Sequence, residues 1–313
     1  MDFNYRLNLK KTSTGIGFYI FSITSTMFLI SIVMSVMSMA VNNRTDNTAI
    51  LLIDIIASIT SMFVIGIFYC MLSNTSLNEV LPLKKVRVQL LIPCVLIAFA
   101  VGFVSDYFTE MFVNGVSLFG LHNNSEMSFK SNGTLENILY IISVAVIPPI
   151  AEEFAFRGIV LQKLRKYGDS FAVLISALLF GLLHGNIVQI PFAFIVGLVL
   201  AFITVKTESI IPAMITHFLI NCSSVVVSLI EENNYADINI TDTVYLFFII
   251  LIIIAGIVSA YKLSKDKKFF TLNKYTLISF KERVSALFSS VGIIFALSLI
   301  GVEIIISLIP YGS

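Results

Sequence analysis

The chain contains apolar runs that are too long for ordinary strands or for the core helices of a small soluble domain. The first extends from Ile16 to Val41, which is longer than the core of a signal peptide, and no small-residue cleavage pattern follows it. A bilayer has no water to satisfy exposed backbone groups, so such runs without strand alternation are expected to cross it as α-helices. We therefore interpret the first run as a retained span.

The composition agrees with a membrane protein. Of 313 residues, 57% are hydrophobic and only 12% are charged, whereas soluble domains are about 25% charged. This excludes a soluble globular chain, and a formal net charge of +1 does not suggest nucleic-acid binding. Cys70, Cys94 and Cys222 lie in apolar runs without paired spacing, so we interpret them as packed thiols.

Apolar runs of about 17 to 25 residues predict about nine membrane spans in an all-α, polytopic helical transmembrane bundle. No soluble domain or internal repeat is expected, because the polar stretches 106–136 and 263–285 are too short for a domain. The predicted spans are 16–41, 48–72, 88–105, 137–165, 169–185, 187–205, 209–230, 243–262 and 286–309.

Basic residues alternate between the two sides of these spans in the way that the positive-inside rule requires. The loops on the opposite side contain Arg44, Lys130 and the acidic residues Glu231, Glu232, Asp237 and Asp242. We predict a cytoplasmic N-terminus, an external C-terminus and a bacterial plasma membrane. The basic residues on the predicted inner side are Arg6, Lys10, Lys11, Lys84, Lys85, Arg87, Lys163, Arg165, Lys166, Lys206, Lys262, Lys265, Lys267, Lys268, Lys274, Lys281 and Arg283.

Two adjacent prolines precede two glutamates within the fourth predicted span. The prolines remove backbone donors and are expected to break or kink the helix just before Glu152 and Glu153. Glu153 and Arg157 are four residues apart, so they share a helical face and can form an ion pair. Glu152 points about 100° away and lacks that partner. The simpler alternative is an interfacial helix with a solvated Glu–Arg pair.

Two of the three histidines also fall within predicted spans. His184 ends the fifth span, and His217 and Asn221 share one face of the seventh. Each histidine alone is more typical of a packing residue, and we assign no role to His122. At 1.5 Å per residue, however, Glu152, His184, His217 and Asn221 all lie about 13 to 22 Å from the inner ends of their helices. Three helices therefore place their rarest side chains in a common layer.

This set of residue types is suited to hydrolysis with water. A carboxylate without its own ion pair can act as a general base on water and then deliver the proton to a leaving amine. Histidine and amide side chains can hold the water, stabilise an oxyanion or bind a divalent metal that does both.

At these residues the chain resembles the CAAX-protease and bacteriocin-processing family of intramembrane endopeptidases, also called the Abi or type II CAAX prenyl endopeptidase family. The family motifs EExxxR, FxxxH and HxxxN correspond to Glu152-Glu153-x-x-x-Arg157, Phe180-x-x-x-His184 and His217-x-x-x-Asn221. The likeness covers about residues 137–225. It implies a four-helix protease core at 137–230, with further transmembrane helices at 1–136 and 231–313.

The resemblance also implies roles for the motif residues. Glu152 would be the general base, His184 its partner in activating water, and His217 with Asn221 the pair that stabilises the oxyanion or holds a metal. Glu153 and Arg157 would be structural. Family members are usually called metalloproteases, and a divalent ion such as Zn²⁺ on His184 and His217 is one expectation, although the HExxH spacing of zinc proteases is absent.

The leading hypothesis is an endopeptidase that cleaves membrane-associated peptides or protein tails, such as pheromone or bacteriocin precursors or prenylated CAAX tails. Three other hypotheses remain open: a bacteriocin self-immunity protein that acts by binding, a transporter with a polar midplane site, and a non-catalytic scaffold. Asp54 and Glu303 are further intramembrane acids outside the motifs, for which we expect interhelical hydrogen bonding.

Overall fold

The computed structural model describes residues 2–40, 47–118, 133–232, 238–273 and 276–308. Within these ranges the chain is all-α, as predicted, with only an isolated antiparallel bridge between Leu83 and Ser209. A one-turn helix, Leu77–Val80, lies between the second and third long helices. The other helices are α1 Asp2–Ala40, α2 Asn47–Leu72, α3 Val88–Ser117, α4 Thr134–Arg165, α5 Asp169–Leu183, α6 Gln189–Thr207, α7 Ile211–Glu232, α8 Ile238–Ser264, α9 Phe280–Phe288 and α10 Val291–Ser307.

Seven of the described helices are long and apolar enough to cross a membrane, or eight if α9 and α10 together form one span. The prediction of about nine spans is not confirmed. The helix α5, predicted as a span, has 15 residues and is therefore about 22 Å long, less than a bilayer core of about 30 Å.

The predicted last span, 286–309, is replaced by two helices that meet at a bend of 70°. The hydroxyls of Ser289 and Ser290 donate to the carbonyls of Ala286 and Leu287, which competes with continuation of the helix. The helix α9 begins earlier than predicted because Ser279 and Glu282 form a capping box. Apolar length alone did not show either feature.

Helices also extend beyond the predicted apolar runs. The helix α1 begins at Asp2 rather than at residue 16, and α3 continues to Ser117 rather than to residue 105. Apolar run length measures the part of a helix that suits lipid, and polar turns can continue the same helix outside it. Arg44, Lys130, Asp237, Lys274 and His122 lie outside the described residues, and the predicted orientation in the membrane stays a prediction.

The main hydrophobic core surrounds the second half of α4. Every residue from Glu153 to Leu161 is buried, and Phe171 and Leu179 of α5 pack in the same cluster as Ile16 and Ile20 of α1. The proline pair begins a short α-helical segment, Ile147–Glu153, between two wider π-helical segments, Ile141–Val146 and Phe154–Val160. Missing proline donors interrupt the regular hydrogen-bond ladder, and such wide turns are frequent at functional sites.

The two ends of the chain meet where α1 crosses α10. A Cβ atom on Gly17 would lie 2.1 Å from the carbonyl carbon of Gly292, and one on Gly292 would lie 2.0 Å from the carbonyl oxygen of Thr14. Only glycine allows two helix backbones to approach so closely. The helices that flank the predicted protease core therefore pack on each other.

Candidate active site

The site forms where the segment after the prolines of α4 meets α7 and the end of α5. Glu152 and Glu153 end the short α-helical segment of α4, His217 and Asn221 lie on α7, and His184 follows the last residue of α5. The side chains of Glu153 and Arg157 are 0% and 1% exposed, whereas that of Glu152 is 15% exposed. Adjacent glutamates thus have different surroundings, as their angular separation predicted.

Glu153 lies between two basic side chains. Its Oε1 atom is 3.0 Å from Nη1 of Arg157, which confirms the predicted ion pair, and 2.9 Å from Nδ1 of His217. The second contact joins α4 to α7 and was not predicted. Because an ionised carboxylate only accepts hydrogen bonds, Nδ1 of His217 must donate the proton. The neutral ring then has an unprotonated Nε2 atom.

That Nε2 atom faces the other glutamate. It lies 3.7 Å from Oε2 of Glu152, which is too long for a direct hydrogen bond. Oε2 of Glu152 is itself buried and has no hydrogen-bond partner among the described residues. A carboxylate oxygen and an imidazole nitrogen, both of them acceptors, therefore lie close together with no proton between them, and a donor with two protons would suit both.

Phe180 packs at the centre of these residues. Its ring lies 4.3 Å from the guanidinium carbon of Arg157, and it makes edge contacts with the imidazoles of His184 and His217 at centroid distances of 5.1 and 6.0 Å. The cation–π contact and the ion pair with Glu153 together compensate the buried charge of Arg157. The Phe of FxxxH, to which we had assigned no role, thus contacts three of the candidate residues.

Arg157 has a further partner on α6. Its Nη2 atom donates to the carbonyl oxygen of Gly197 at 3.4 Å. A Cβ on Gly197 would lie 3.1 Å from the ring of Phe180 and 3.3 Å from Ala177. Gly197 therefore lets α6 approach α5 closely enough for its backbone to reach the arginine. Sequence reasoning did not find this residue, since a single glycine in an apolar run has many possible reasons.

His184 is oriented by its own helix. Its Nδ1 atom lies 2.9 Å from the carbonyl oxygen of Phe180, and because a carbonyl can only accept, Nδ1 must donate. Nε2 is then an acceptor in the neutral ring and a donor when the ring is protonated. His184 has no hydrogen bond or ion pair with either glutamate or with His217 in the described structure, although it shares the ring of Phe180 with His217.

Asn221 contacts α4 just before the two prolines. Its Nδ2 atom donates to the carbonyl oxygen of Val144 at 2.9 Å. That carbonyl would accept from residue 148 in an α-helix and from residue 149 in a π-helix, and both residues are prolines without an N–H group. The amide of Asn221 thus satisfies a carbonyl that the prolines leave without a partner. Its predicted catalytic role stays a prediction, and this bracing contact was not foreseen.

The arrangement does not form an obvious metal centre. Among the described residues, no three His, Cys, Asp or Glu side chains are placed to bind one metal ion. In the pair predicted for zinc, each histidine donates from Nδ1 to a protein acceptor, which leaves Nε2 of both rings as an acceptor. The described residues therefore form no three-ligand centre, the predicted zinc on His184 and His217 stays a prediction, and the mechanism proposed below uses no metal.

Known proteins resemble the part of the chain that contains this site. Residues 134–223 match the family described as type II CAAX prenyl endopeptidase Rce1-like. "Putative membrane peptidase YdiL" of Bacillus subtilis (strain 168) is 27% identical over 142 residues, which cover 43% of this chain and 58% of that protein. Both matches confirm the resemblance inferred from the three motifs.

The matches are limited in extent. The aligned region spans less than two thirds of the length of the Bacillus subtilis protein, and the family match leaves out α1 to α3 and α8 to α10. No solved structure matches the chain. Substrates and mechanism are therefore argued from the site itself.

Proposed function

We propose that this membrane protein, whose residues 134–223 match the Rce1-like family, is an intramembrane endopeptidase that hydrolyses peptide bonds of membrane-associated peptides or protein tails. The observation that carries the proposal is the facing pair of acceptors, Oε2 of Glu152 and Nε2 of His217, 3.7 Å apart in a buried site. The Glu153–His217 hydrogen bond supports it, because this bond determines which imidazole nitrogen faces Glu152.

A water molecule is the reactant that this geometry suits. It would donate one proton to Oε2 of Glu152 and the other to Nε2 of His217, which leaves its oxygen lone pairs directed away from both groups. Two acceptors orient the water more strongly than Glu152 alone would. The chain of contacts from Arg157 through Glu153 to His217 holds the second acceptor in place.

Hydrolysis then follows with Glu152 as the general base. The water oxygen attacks the carbonyl carbon of the scissile bond while Glu152 accepts a proton, and the carbonyl oxygen becomes an oxyanion. His184 donates from Nε2 to this oxyanion when its ring is protonated, since Nδ1 already donates to Phe180. This proposal exchanges the roles that the family resemblance implies for the two histidines, because His217 and not His184 faces Glu152. Glu152 returns the proton to the leaving nitrogen, the C–N bond breaks, and the products are a carboxylic acid and an amine.

An apolar cavity beside the site supports a membrane-associated substrate. It has a volume of about 560 Å³ and lies between α3, α7 and α8. Leu219, Cys222 and Val226 of α7 line it, so it begins within one helical turn of Asn221. Its other lining side chains are almost all apolar, which suits the apolar part of a peptide or of its anchor.

Replacing Glu152 is the direct test of this function. Glu152→Gln keeps the size of the side chain but removes the base, so cleavage of membrane-tethered peptides in liposomes is expected to fall by about 10² to 10⁴-fold. Asp54→Asn is the matched control, because Asp54 is an acid on α2 outside the site, and its cleavage rate should equal that of the wild type. Rates are measured by mass spectrometry of the products.

The same variant, tested in liposomes and in cells, separates the competing functions. Cleavage that persists in Glu152→Gln would contradict the assignment of the general base. Solute flux through wild-type liposomes, without cleavage of any peptide, would favour a transporter. Protection of cells against a bacteriocin that persists in Glu152→Gln would favour an immunity protein that acts by binding.

A further inference from the structure

Glu303 is the only charged residue of α10, and this helix lies outside the matched segment 134–223. The buried residues Ile293, Ala296 and Ile300 define the side of α10 that faces the bundle. Glu303 follows Ile300 by three residues and therefore continues this stripe. Its side chain is half-buried. A carboxylate on the inner side of an apolar helix is costly and is expected to have a partner.

The carboxylate lies against the turn that follows His184. A Cβ atom on Gly185 would be 3.0 Å from Oε2 of Glu303 and 3.3 Å from its Cβ. Gly185 has a φ angle of +59°, a left-handed conformation in which it ends α5. Glycine thus provides both the turn and the space for Glu303. The acid is next to the residue that the proposed mechanism uses as oxyanion donor.

Among the described residues Glu303 has no partner that would explain its position, so the interhelical hydrogen bond expected for it is not found there. It forms no hydrogen bond or ion pair with any residue that the structure describes. This distinguishes it from Glu153, which contacts both Arg157 and His217. The carbonyl groups at the end of the 15-residue helix α5 add partial negative charge at the same place. The surroundings of Gly185 therefore favour a positive charge that the described residues do not supply.

We infer that Glu303 is a specificity residue that binds a cationic side chain, lysine or arginine, of the peptide substrate close to the scissile bond. The inference rests on the proposed peptidase function for the identity of the ligand as a peptide. It adds a charged contact from α10 to a site whose other candidate residues all lie on α4, α7 and the end of α5. A peptide with a basic residue at the right position would bind more tightly than one with an uncharged residue of similar length.

Binding can be measured independently of cleavage. The probes are acyl-anchored fluorescent peptides that differ only at one position, which carries lysine, norleucine or glutamate and is moved along the peptide one residue at a time. They are titrated against protein in nanodiscs that carries Glu152→Gln, so that no probe is consumed. We expect at least one position at which lysine improves the dissociation constant about tenfold over norleucine.

Substitutions of Glu303 then test whether this residue causes the preference for lysine. Glu303→Gln in the same background should abolish the tenfold difference, and Glu303→Lys should reverse it in favour of the glutamate peptide at the same position. Asp54→Asn is the matched control and should leave the preference unchanged. Reversal by charge exchange would not result from a purely structural role of Glu303, and circular dichroism and thermal unfolding verify that each variant is folded.

Two outcomes would overturn the inference: no position at which lysine is preferred, or a lysine preference that Glu303→Gln retains. A different result is expected if the inference is right but the proposed peptidase function is wrong. In that case the lysine preference depends on Glu303, but protein with an intact Glu152 cleaves none of the same peptides.

Discussion

The polar site between α4 and α7 and the crossing of α1 with α10 are both tightly packed, but different interactions hold them together. In the site, one carboxylate oxygen of the buried Glu153 contacts both Arg157 and His217. At the crossing, two glycines bring the backbones into direct contact. The polar site is therefore expected to be sensitive to loss of a partner, whereas the crossing is sensitive to any added atom.

The largest effect on stability is expected from Arg157→Met. Glu153 would remain buried without its ion pair, which costs about 3–5 kcal/mol. The double variant Glu153→Gln/Arg157→Met removes both charges, and glutamine can still accept from Nδ1 of His217, so most of the loss should be recovered. Unfolding of the purified variants in detergent measures both effects. A double variant as unstable as Arg157→Met would contradict the explanation.

A smaller loss is expected where α1 crosses α10. In Gly292→Ala the new methyl group would lie 2.0 Å from the carbonyl oxygen of Thr14, so the helices must separate at a cost of about 1–3 kcal/mol. Gly301→Ala on the same helix is the control, because no described residue beyond its own stretch of helix lies within 4 Å of its Cβ position. Thermal unfolding should separate the two variants. Equal melting temperatures would show that the backbone contact contributes nothing.

Replacing Asn221 tests whether its hydrogen bond to the carbonyl of Val144 stabilises the protein. Asn221→Ala leaves the carbonyl of Val144 without its donor and should cost about 1–3 kcal/mol of stability. Ser223→Ala, also on α7, removes a hydroxyl that donates only to the carbonyl of Ile220 in its own helix, and it should have little effect. Unfolding of both variants provides the comparison. If Asn221→Ala unfolds like Ser223→Ala, the hydrogen bond between Asn221 and Val144 does not contribute to stability.

The smallest effect is expected at Lys84 and Glu208, an exposed pair whose side chains are 67% and 56% accessible. Lys84→Ala should cost less than about 1 kcal/mol at neutral pH, because solvent screens the charges. The pair therefore shows what ion pairing contributes without burial. A loss as large as that of Arg157→Met would mean that burial is not what makes the site sensitive.

The Lys84 contact also predicts a dependence on pH. The hydrogen bond and charge of Lys84 lower the pKa of Glu208 below its ordinary value of 4.5. Stabilisation is thus present above pH 4.5 and is lost as the pH falls through the lowered pKa. Wild type and Lys84→Ala should differ in unfolding temperature at pH 7 and converge once the pH falls below the lowered pKa of Glu208. A difference that persists at low pH would exclude this ion pair as its cause.

Contacts within one helix were predictable, and most contacts between helices were not. The spacing of Glu153 and Arg157 determines that they share a face whatever surrounds them, and the ion pair is present. The spacing of His217 and Asn221 placed them on one face too, but it did not show that one contacts Glu153 and the other Val144. Those partners are 64 and 77 residues away in the chain, so they depend on how α4 and α7 pack.

The sequence by itself determined the all-α membrane class, the order of the three motifs and the missing backbone donors at Pro148 and Pro149, because hydrophobic length, motif spacing and proline chemistry are local properties. The predicted break is not present, since α4 continues through the prolines from Thr134 to Arg165. The tertiary structure alone decided that His217 contacts Glu153 and faces Glu152, and that Glu303 lies against Gly185. These contacts depend on the rotation and depth of each helix in the bundle, which follow from packing along its whole length.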